Sequence, residues 1–339
     1  RNLRELTLSW NRPLIIGLIV LLLALGWLRT NSADTEQVRR SQLMMGTIVE
    51  IVASGKSSGQ LEAAIDDAFA EMARLDRVLS RYHQDSDITR LSQSDKGGRV
   101  SPETAEVIAI GLDVAERSHG AFDLTLGRLK VLWNFDDENP VVPEQAAIAR
   151  AIVGTGPGAV ELDGLNLIKR SPQLMVDLAG VAKGYIVDRA IGVLKKHAIT
   201  DAAVNAGGDM YLLGQHPEHP WRIGIQHPRE QGGILATVLV RDRAVVTSGD
   251  YERFFEQDGQ RYHHIFDPQT GLPARGCQSA TVITDSVALG DALATAIFVL
   301  GPQKGLELLA DYPGAEGLIV AADGSLHPSP GWDAYQDTP

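Results

Sequence analysis

Hydrophobic positions fall into three regimes along the chain. Residues 13–28 form an uncharged, apolar run with Arg1, Arg4 and Arg12 before it and Arg29 after it. Residues 29–42 are polar. From Leu43 to about residue 328, short β-like runs alternate with segments of helical period. In that third regime Leu61, Ile65, Phe69, Met72, Leu75, Val78 and Leu79 recur on one helical face, which predicts a helix over 60–80. Ser101 followed by Pro102 and Glu103 is a helix start, with the serine as cap and proline in the first turn, and predicts a helix to about 118. Further helices are expected over 144–153, 183–197, 286–300 and 302–311. Strands are expected over 43–52, 201–206, 209–213, 221–226, 234–240, 243–247, 279–284 and 317–321. Phe254 and Phe255, then residues 261–266, flank Asp258-Gly259, a hairpin signal. Strands and helices mix without a regular βαβ period. The expected class is therefore α+β, with mixed or antiparallel sheets and packed helices, rather than a doubly wound sheet.

The first regime changes the picture of the compartment. As a helix, residues 13–28 would reach about 24 Å against roughly 30 Å of hydrocarbon. Arg12 and Arg29 can extend to the headgroups and make up the difference. Positive charge before the run places the N-terminus in the cytoplasm and the body outside. No cysteine follows the run, and Asn31-Ser32-Ala33 is a poor cleavage site. The expected organisation is a membrane anchor over 1–29, a linker over 30–42, one body over 43–330 and a tail over 331–339. The expected location is the inner membrane of a bacterium, with the body facing the periplasm.

Composition then excludes several functions. The chain has 339 residues, 44% hydrophobic and 22% charged, with a formal net charge of -12. That balance is globular rather than disordered. The negative charge argues against a nucleic-acid partner, which calls for a basic face. Cys277 is the single cysteine, so neither an internal disulfide nor a cysteine-based zinc site is available.

Four patches concentrate Gly, Asp, Thr and His. In Gly120-Ala121-Phe122-Asp123-Leu124-Thr125-Leu126-Gly127, a carboxylate and a hydroxyl two residues apart share a face on extended chain. The run from Asp177 to Tyr185 is a glycine turn entering a helix, where free N–H groups and Lys183 suit an anion, although it lacks the P-loop pattern. Asn205-Ala206-Gly207-Gly208-Asp209 and Thr247-Ser248-Gly249-Asp250 read equally as hairpin turns. In the last patch, Asp291 and Thr295 are four apart and share a helix face. Carboxylate and hydroxyl oxygens suit Mg²⁺ rather than zinc. Ala292, Ala294 and Ala296 keep that helix slim. Each patch also reads as ordinary turn or packing structure.

In this order, the patches resemble the ApbE family, the FAD:protein FMN transferases. The resemblance also rests on Met45-Gly46-Thr47, Leu79-Ser80-Arg81-Tyr82, Ser248-Gly249-Asp250-Tyr251-Glu252-Arg253, Tyr262-His263-His264-Ile265 and Asp267-Pro268-Gln269-Thr270-Gly271. It implies an α+β body with a cleft for FAD between two lobes. It further implies an enzyme that uses Mg²⁺ and FAD, moves FMN to a threonine hydroxyl of an acceptor protein such as a redox-pump subunit, and releases AMP. By position, Met45, Tyr82, Asp123, Thr125, Asp177, Lys183 and Ile265 would line the FAD site. Gly180, through its carbonyl, would hold the metal with Asp291 and Thr295. His264 would be the general base.

Two departures stand out. Ala294 occupies a position where some relatives carry another acid, and a helix anchor replaces the lipid anchor of many. Residues 279–284 faintly resemble an acceptor segment centred on Thr281, but read as an ordinary strand. The rival activities are a Mg²⁺-dependent FAD pyrophosphatase, with water in place of threonine, and a membrane-anchored flavin-binding protein without turnover.

Overall fold

The computed structural model describes residues 35–216 and 219–337. The expected anchor lies outside the described residues. No helix among those described is long and apolar enough to cross a membrane.

The body is built on an eight-stranded sheet. In chain order its strands are β1 (Glu36–Met44), β2 (Thr47–Gly55), β6 (Asp201–Ala206), β7 (Asp209–Leu213), β10 (Arg243–Gly249), β13 (Cys277–Thr284), β14 (Glu316–Ala321) and β15 (Leu326–Pro328). They lie side by side in that order, every neighbour antiparallel. Alternation decides which side chains meet which layer. Val49, Ile51 and Ala53 of β2, Ala244 and Val246 of β10 and Val282 of β13 face the main core. Their neighbours Val52, Val245 and Ile283 face a second core.

Four helices cover the first face: α1 (Ser58–Leu79), α6 (Ala182–Lys196), α7 (Val287–Leu300) and α8 (Pro302–Ala310). α1 starts where the Ser57 hydroxyl accepts from the Gln60 N–H, and it buries the predicted apolar stripe. α3 (Pro102–Arg117) starts at Ser101 in the same way and packs against α7. The second face is covered by the hairpin β8 (Trp221–Gln226) and β9 (Ile234–Val240), together with Trp332. A three-stranded sheet of β3 (Gly97–Arg99), β4 (Val160–Asp163) and β5 (Asn166–Lys169) lies apart. A third apolar cluster joins α4 (Gly127–Trp133) and α5 (Gln145–Ala151) to Phe266. The Trp133 indole N–H donates to the Gly271 carbonyl at 3.0 Å. The remaining elements are α2 (Asp87–Gln93) and the hairpin β11 (Phe254–Gln257) and β12 (Gln260–His263). That hairpin turns at Asp258 (φ 53°) and Gly259 (φ 74°), as the Asp-Gly pair predicts.

Three expectations need correction. The expected strand over 43–52 is two strands, because Met45 (φ 53°) and Gly46 (φ 71°) reverse the chain between β1 and β2. The expected linker over 30–42 is, from Glu36 onward, the edge strand β1. Its side chains are mostly exposed on both faces, so the backbone ladder to β2 makes it a strand and no apolar alternation marks it. The expected tail is, as far as Asp337, part of the body. Trp332 is buried, and Asp337 N–H donates to the Thr237 carbonyl at 2.8 Å.

The slim helix α7 is explained by close approach. A Cβ on Gly290 would stand 2.9 Å from Val246, and Ala292, Ala294 and Ala296 are fully buried. Where α6 meets the start of α7, a Cβ on Gly184 would stand 2.4 Å from the Val287 carbonyl oxygen. Gly184→Ala is therefore expected to cost about 1–3 kcal/mol through overpacking, measured by urea unfolding. A wild-type midpoint would show that the two helices can part without loss.

Candidate active site

The turns at one end of the large sheet bring the candidate residues together. The β6–β7 turn uses Gly207 (φ 62°) and Gly208 (φ 98°), with the Gly208 N–H donating to the Asn205 side chain at 2.9 Å. A Cβ on Gly207 would stand 2.5 Å from the Thr47 hydroxyl, so this turn lies against the β1–β2 turn. Met45 is in that second turn, half-buried. The glycine patch is a hairpin, and it also presents Asp209 to Lys183.

The Lys183 ammonium stands 2.7 Å from Asp209 Oδ2. Burial would lower the Lys183 pKa, but Asp209 first and then Asp291 hold it above its ordinary value. Asp291 is buried, and its Oδ2 has no hydrogen-bond partner. Burial, with repulsion from Asp209 next, pushes its pKa up to about 8. Two acids thus face one ammonium, an arrangement short of positive charge. Thr295, one turn on, lies 3.3 Å from the Ser248 hydroxyl. A Cβ on Gly180 would stand 3.9 Å from Thr295 Oγ1. The three expected metal residues therefore share one neighbourhood: an orphaned carboxylate oxygen, a hydroxyl and a glycine backbone. This set of hard oxygens fits Mg²⁺. Among the described residues no cluster of three or more His, Cys, Asp or Glu side chains could hold a metal.

Asp177 is buried, with Lys130 Nζ at 2.5 Å and Arg81 at 3.5 Å. Burial would raise its carboxyl pKa, yet Lys130 and then Arg81 outweigh it and hold the group below the usual range. Arg81 also stacks over the ring of Tyr82, which is 69% exposed, an open aromatic face beside a charged pocket. The Tyr82 hydroxyl donates to Asp136 at 2.8 Å, and Asp136 faces Arg253 at 3.5 Å. Asp123 and Thr125 meet through a tight turn rather than along a strand. The Thr125 hydroxyl and N–H both donate to Asp123 Oδ1, at 2.6 and 2.7 Å. Asp123 Oδ2 is buried without a partner, and burial raises its pKa.

His264 follows β12, half-buried, with Nδ1 3.3 Å from the Arg253 carbonyl. A carbonyl only accepts, so Nδ1 carries the proton and Nε2 keeps the lone pair. Burial first, then Lys130, lowers the pKa to about 3. The imidazole is therefore neutral across the physiological range. Ile265 differs from the other candidates in being a core residue. It is buried, and its carbonyl accepts from Ala274 N–H at 2.9 Å.

Lys130, Arg81, Asp209 and Arg253 are the site residues that sequence reasoning did not single out. Arg81, Asp209 and Arg253 lay within quoted motifs. Lys130 lay in none, and only the packing of α4 brings it to Asp177. Thr281, faintly similar to an acceptor threonine, is buried inside β13 and hydrogen-bonded to Thr247 at 2.9 Å.

Residues 45–319 match the family model described as ApbE family. The chain belongs to the ApbE family. It is 34% identical to the FAD:protein FMN transferase of Treponema pallidum (strain Nichols), covering 88% of each chain. It is 35% identical to the FAD:protein FMN transferase of Vibrio cholerae, covering 87% of this chain and 90% of that one. Among solved structures, the ApbE protein of Thermotoga maritima superposes with a TM-score of 0.82 at 33% identity, over 89% of this chain and all of the other. The flavin transferase ApbE from Vibrio cholerae gives 0.79 at 31% identity, over 89% and 100%. The α+β architecture with antiparallel sheets is thus an ApbE fold.

The buried acids set a pH dependence. With its pKa raised above the unfolded value, Asp291 binds more proton in the folded state, so stability falls as pH rises from about 4 towards about 8. In metal-free buffer Asp291→Asn is expected to flatten that fall, whose slope reaches at most ~1.4 kcal/mol per pH unit per proton. Chemical denaturation at stepped pH measures it, and identical pH profiles for both proteins would contradict the assignment.

Proposed function

We propose that this chain is a flavin transferase that moves FMN from FAD to a threonine hydroxyl of an acceptor protein and releases AMP. The observation that carries this reading is the pairing, in a member of the ApbE family, of a cation-deficient acid pair beside Lys183 with a neutral His264. Lys130 stands 2.5 Å from Asp177, and its charge adds to burial in keeping His264 neutral.

Each group has a role in that reaction. The Nε2 lone pair of His264 takes the proton of the acceptor hydroxyl as its oxygen bonds to the FMN-side phosphorus. The bond from that phosphorus to the bridging oxygen breaks, and the electron pair leaves with AMP. The low pKa means that His264 is not protonated in advance at neutral pH. The Arg253 carbonyl fixes its tautomer. Lys183, held by Asp209, brings positive charge to the phosphates. The open ring of Tyr82 offers a face for stacking a flat heterocycle, and the free Asp123 Oδ2 accepts from an N–H of the nucleotide. Gly180, Asp291 and Thr295 would hold Mg²⁺, which neutralises charge on phosphate oxygens when bound. Arg12 and the apolar run after it support anchoring in the inner membrane, with the body in the periplasm.

Incubating the full chain with FAD, Mg²⁺ and a threonine-bearing acceptor, then weighing the acceptor, tests the reading. A gain of FMN less water is expected. Free FMN with an unchanged acceptor would favour the pyrophosphatase, and intact FAD would favour a binding protein without turnover. Asp291→Ala is expected to abolish transfer and to remove Mg²⁺-dependent stabilisation in a thermal melt. His264→Ala is expected to slow transfer by about 10²–10⁴-fold while FAD binding persists. An unchanged rate would remove His264 from the mechanism.

A further inference from the structure

We propose that the chain carries a second anion site, built from residues distinct from those assigned to the flavin site, that takes a phosphate or carboxylate oxyanion. It is a cavity of about 360 Å³ with Arg229, Arg261 and Arg275 around a buried floor that includes Asp250 and His263.

The charges in this cavity do not balance. Arg229 grips Asp250 through both nitrogens, at 2.7 Å each. That bidentate pair uses most of the carboxylate. Arg261 is left 3.6 Å from Asp250 and reaches outward to exposed Glu256 at 3.2 Å. Arg275 is exposed, lies over the Tyr262 ring at 5.9 Å and donates to the neutral Gln260 side-chain oxygen, so it is hydrogen-bonded but faces no carboxylate among the described residues. The buried neighbours add no negative charge. His263 has Nε2 2.8 Å from the Ala274 carbonyl and Nδ1 3.3 Å from the Ile265 N–H, which fixes it as a neutral ring with both nitrogens engaged. Burial pushes the Cys277 thiol up to about 12, so it stays protonated. Three guanidiniums therefore line one cavity with two carboxylates between them, Asp250 inside and Glu256 at the rim, in a chain whose net charge is -12.

Guanidinium forks match the spacing of two oxygens on one carbon or phosphorus, which selects an oxyanion over chloride. The volume admits a phosphate group with room for more, so an ester or a side chain carrying the anion also fits. The site is distinct from the FAD cleft by residue and by chemistry. It uses arginines and no hard-oxygen metal set, and none of its lining residues belongs to the Lys183–Asp209–Asp291 group.

The test titrates inorganic phosphate into the full chain without divalent metal, following heat and melting temperature. Phosphate is expected to bind and to raise the melting temperature in the wild type and in Lys183→Gln alike. Arg275→Gln, at an exposed position where folding is safe, is expected to weaken it at least tenfold. Arg275→Lys should recover part of the loss, and Arg261→Gln with Arg275→Gln should abolish binding. A tetraglutamate peptide run in competition separates the sources. Displacement of phosphate assigns the site to carboxylates on a protein segment as well, and no displacement restricts it to phosphate groups. Absence of phosphate binding in the wild type overturns the site, as does binding that survives the double substitution or vanishes in Lys183→Gln. None of these readouts depends on flavin transfer.

Discussion

Two buried carboxylates around one ammonium dominate the energetics at the end of the sheet. Asp291 and Asp209 lie in an interior where an unpaired charge is costly, and Lys183 answers only one of them. Such an arrangement survives only if the surrounding packing is strong enough to hold it, and the packing here is dense. α7 is pressed onto β10 and β13 through alanines and Gly290, and α6 is pressed onto α7 through Gly184. The unpaired Asp291 oxygen is held there by packing and not by a partner of its own.

The rest of the site follows from the direction of the strands. In an antiparallel sheet alternate connections fall at the same end. Thus the β1–β2 turn, the β6–β7 turn, the end of β10 and the start of β13 all meet there. Helices α6 and α7 contribute Lys183, Asp291 and Thr295 from the layer above. The segment after β12 brings His264, and α4 brings Lys130. Two electrostatic regimes result. One is short of positive charge around Asp291. The other is well supplied around Asp177, where Lys130 and Arg81 both press on a single acid. The net charge of -12 therefore does not exclude an anionic ligand, because the sign reverses locally.

Legibility in the sequence tracked the source of each signal. Long helices with one buried face and capped starts, such as α1 and α3, were readable to within two residues, because period and cap chemistry are local. So were β6, β7 and β9; the Asp258-Gly259 turn was also readable, although its second strand ends at His263 and not at 266. Edge strand β1 was not, since most of its side chains are exposed and only Val38 and Met44 pack against the core. The short helices α2 and α4 and the small sheet of β3, β4 and β5 were also missed, for they are too short to show a period and are held by neighbours. Asp291 and Thr295 could be proposed from residue type and spacing, and His264 from the family resemblance. Lys130 could not, because no local pattern announces a lysine that will reach Asp177 from 47 positions away.

By itself the sequence determined the class of the fold, most of its elements, the family to which the chain is similar and the chemical kinds of its candidate groups. These depend on period, turn residues and motif order, all of which are written along the chain. Only the tertiary structure decided protonation and partnership. His264 is neutral and Asp291 is raised because of what is packed around them, not because of their neighbours in sequence. Asp209 proved to be both a turn residue and the counter-ion of Lys183. Arg229, Arg261 and Arg275 came to line one cavity with Asp250 only when three separate segments folded together. Electrostatics acts through space and scales with burial, and neither distance nor burial can be read from spacing alone.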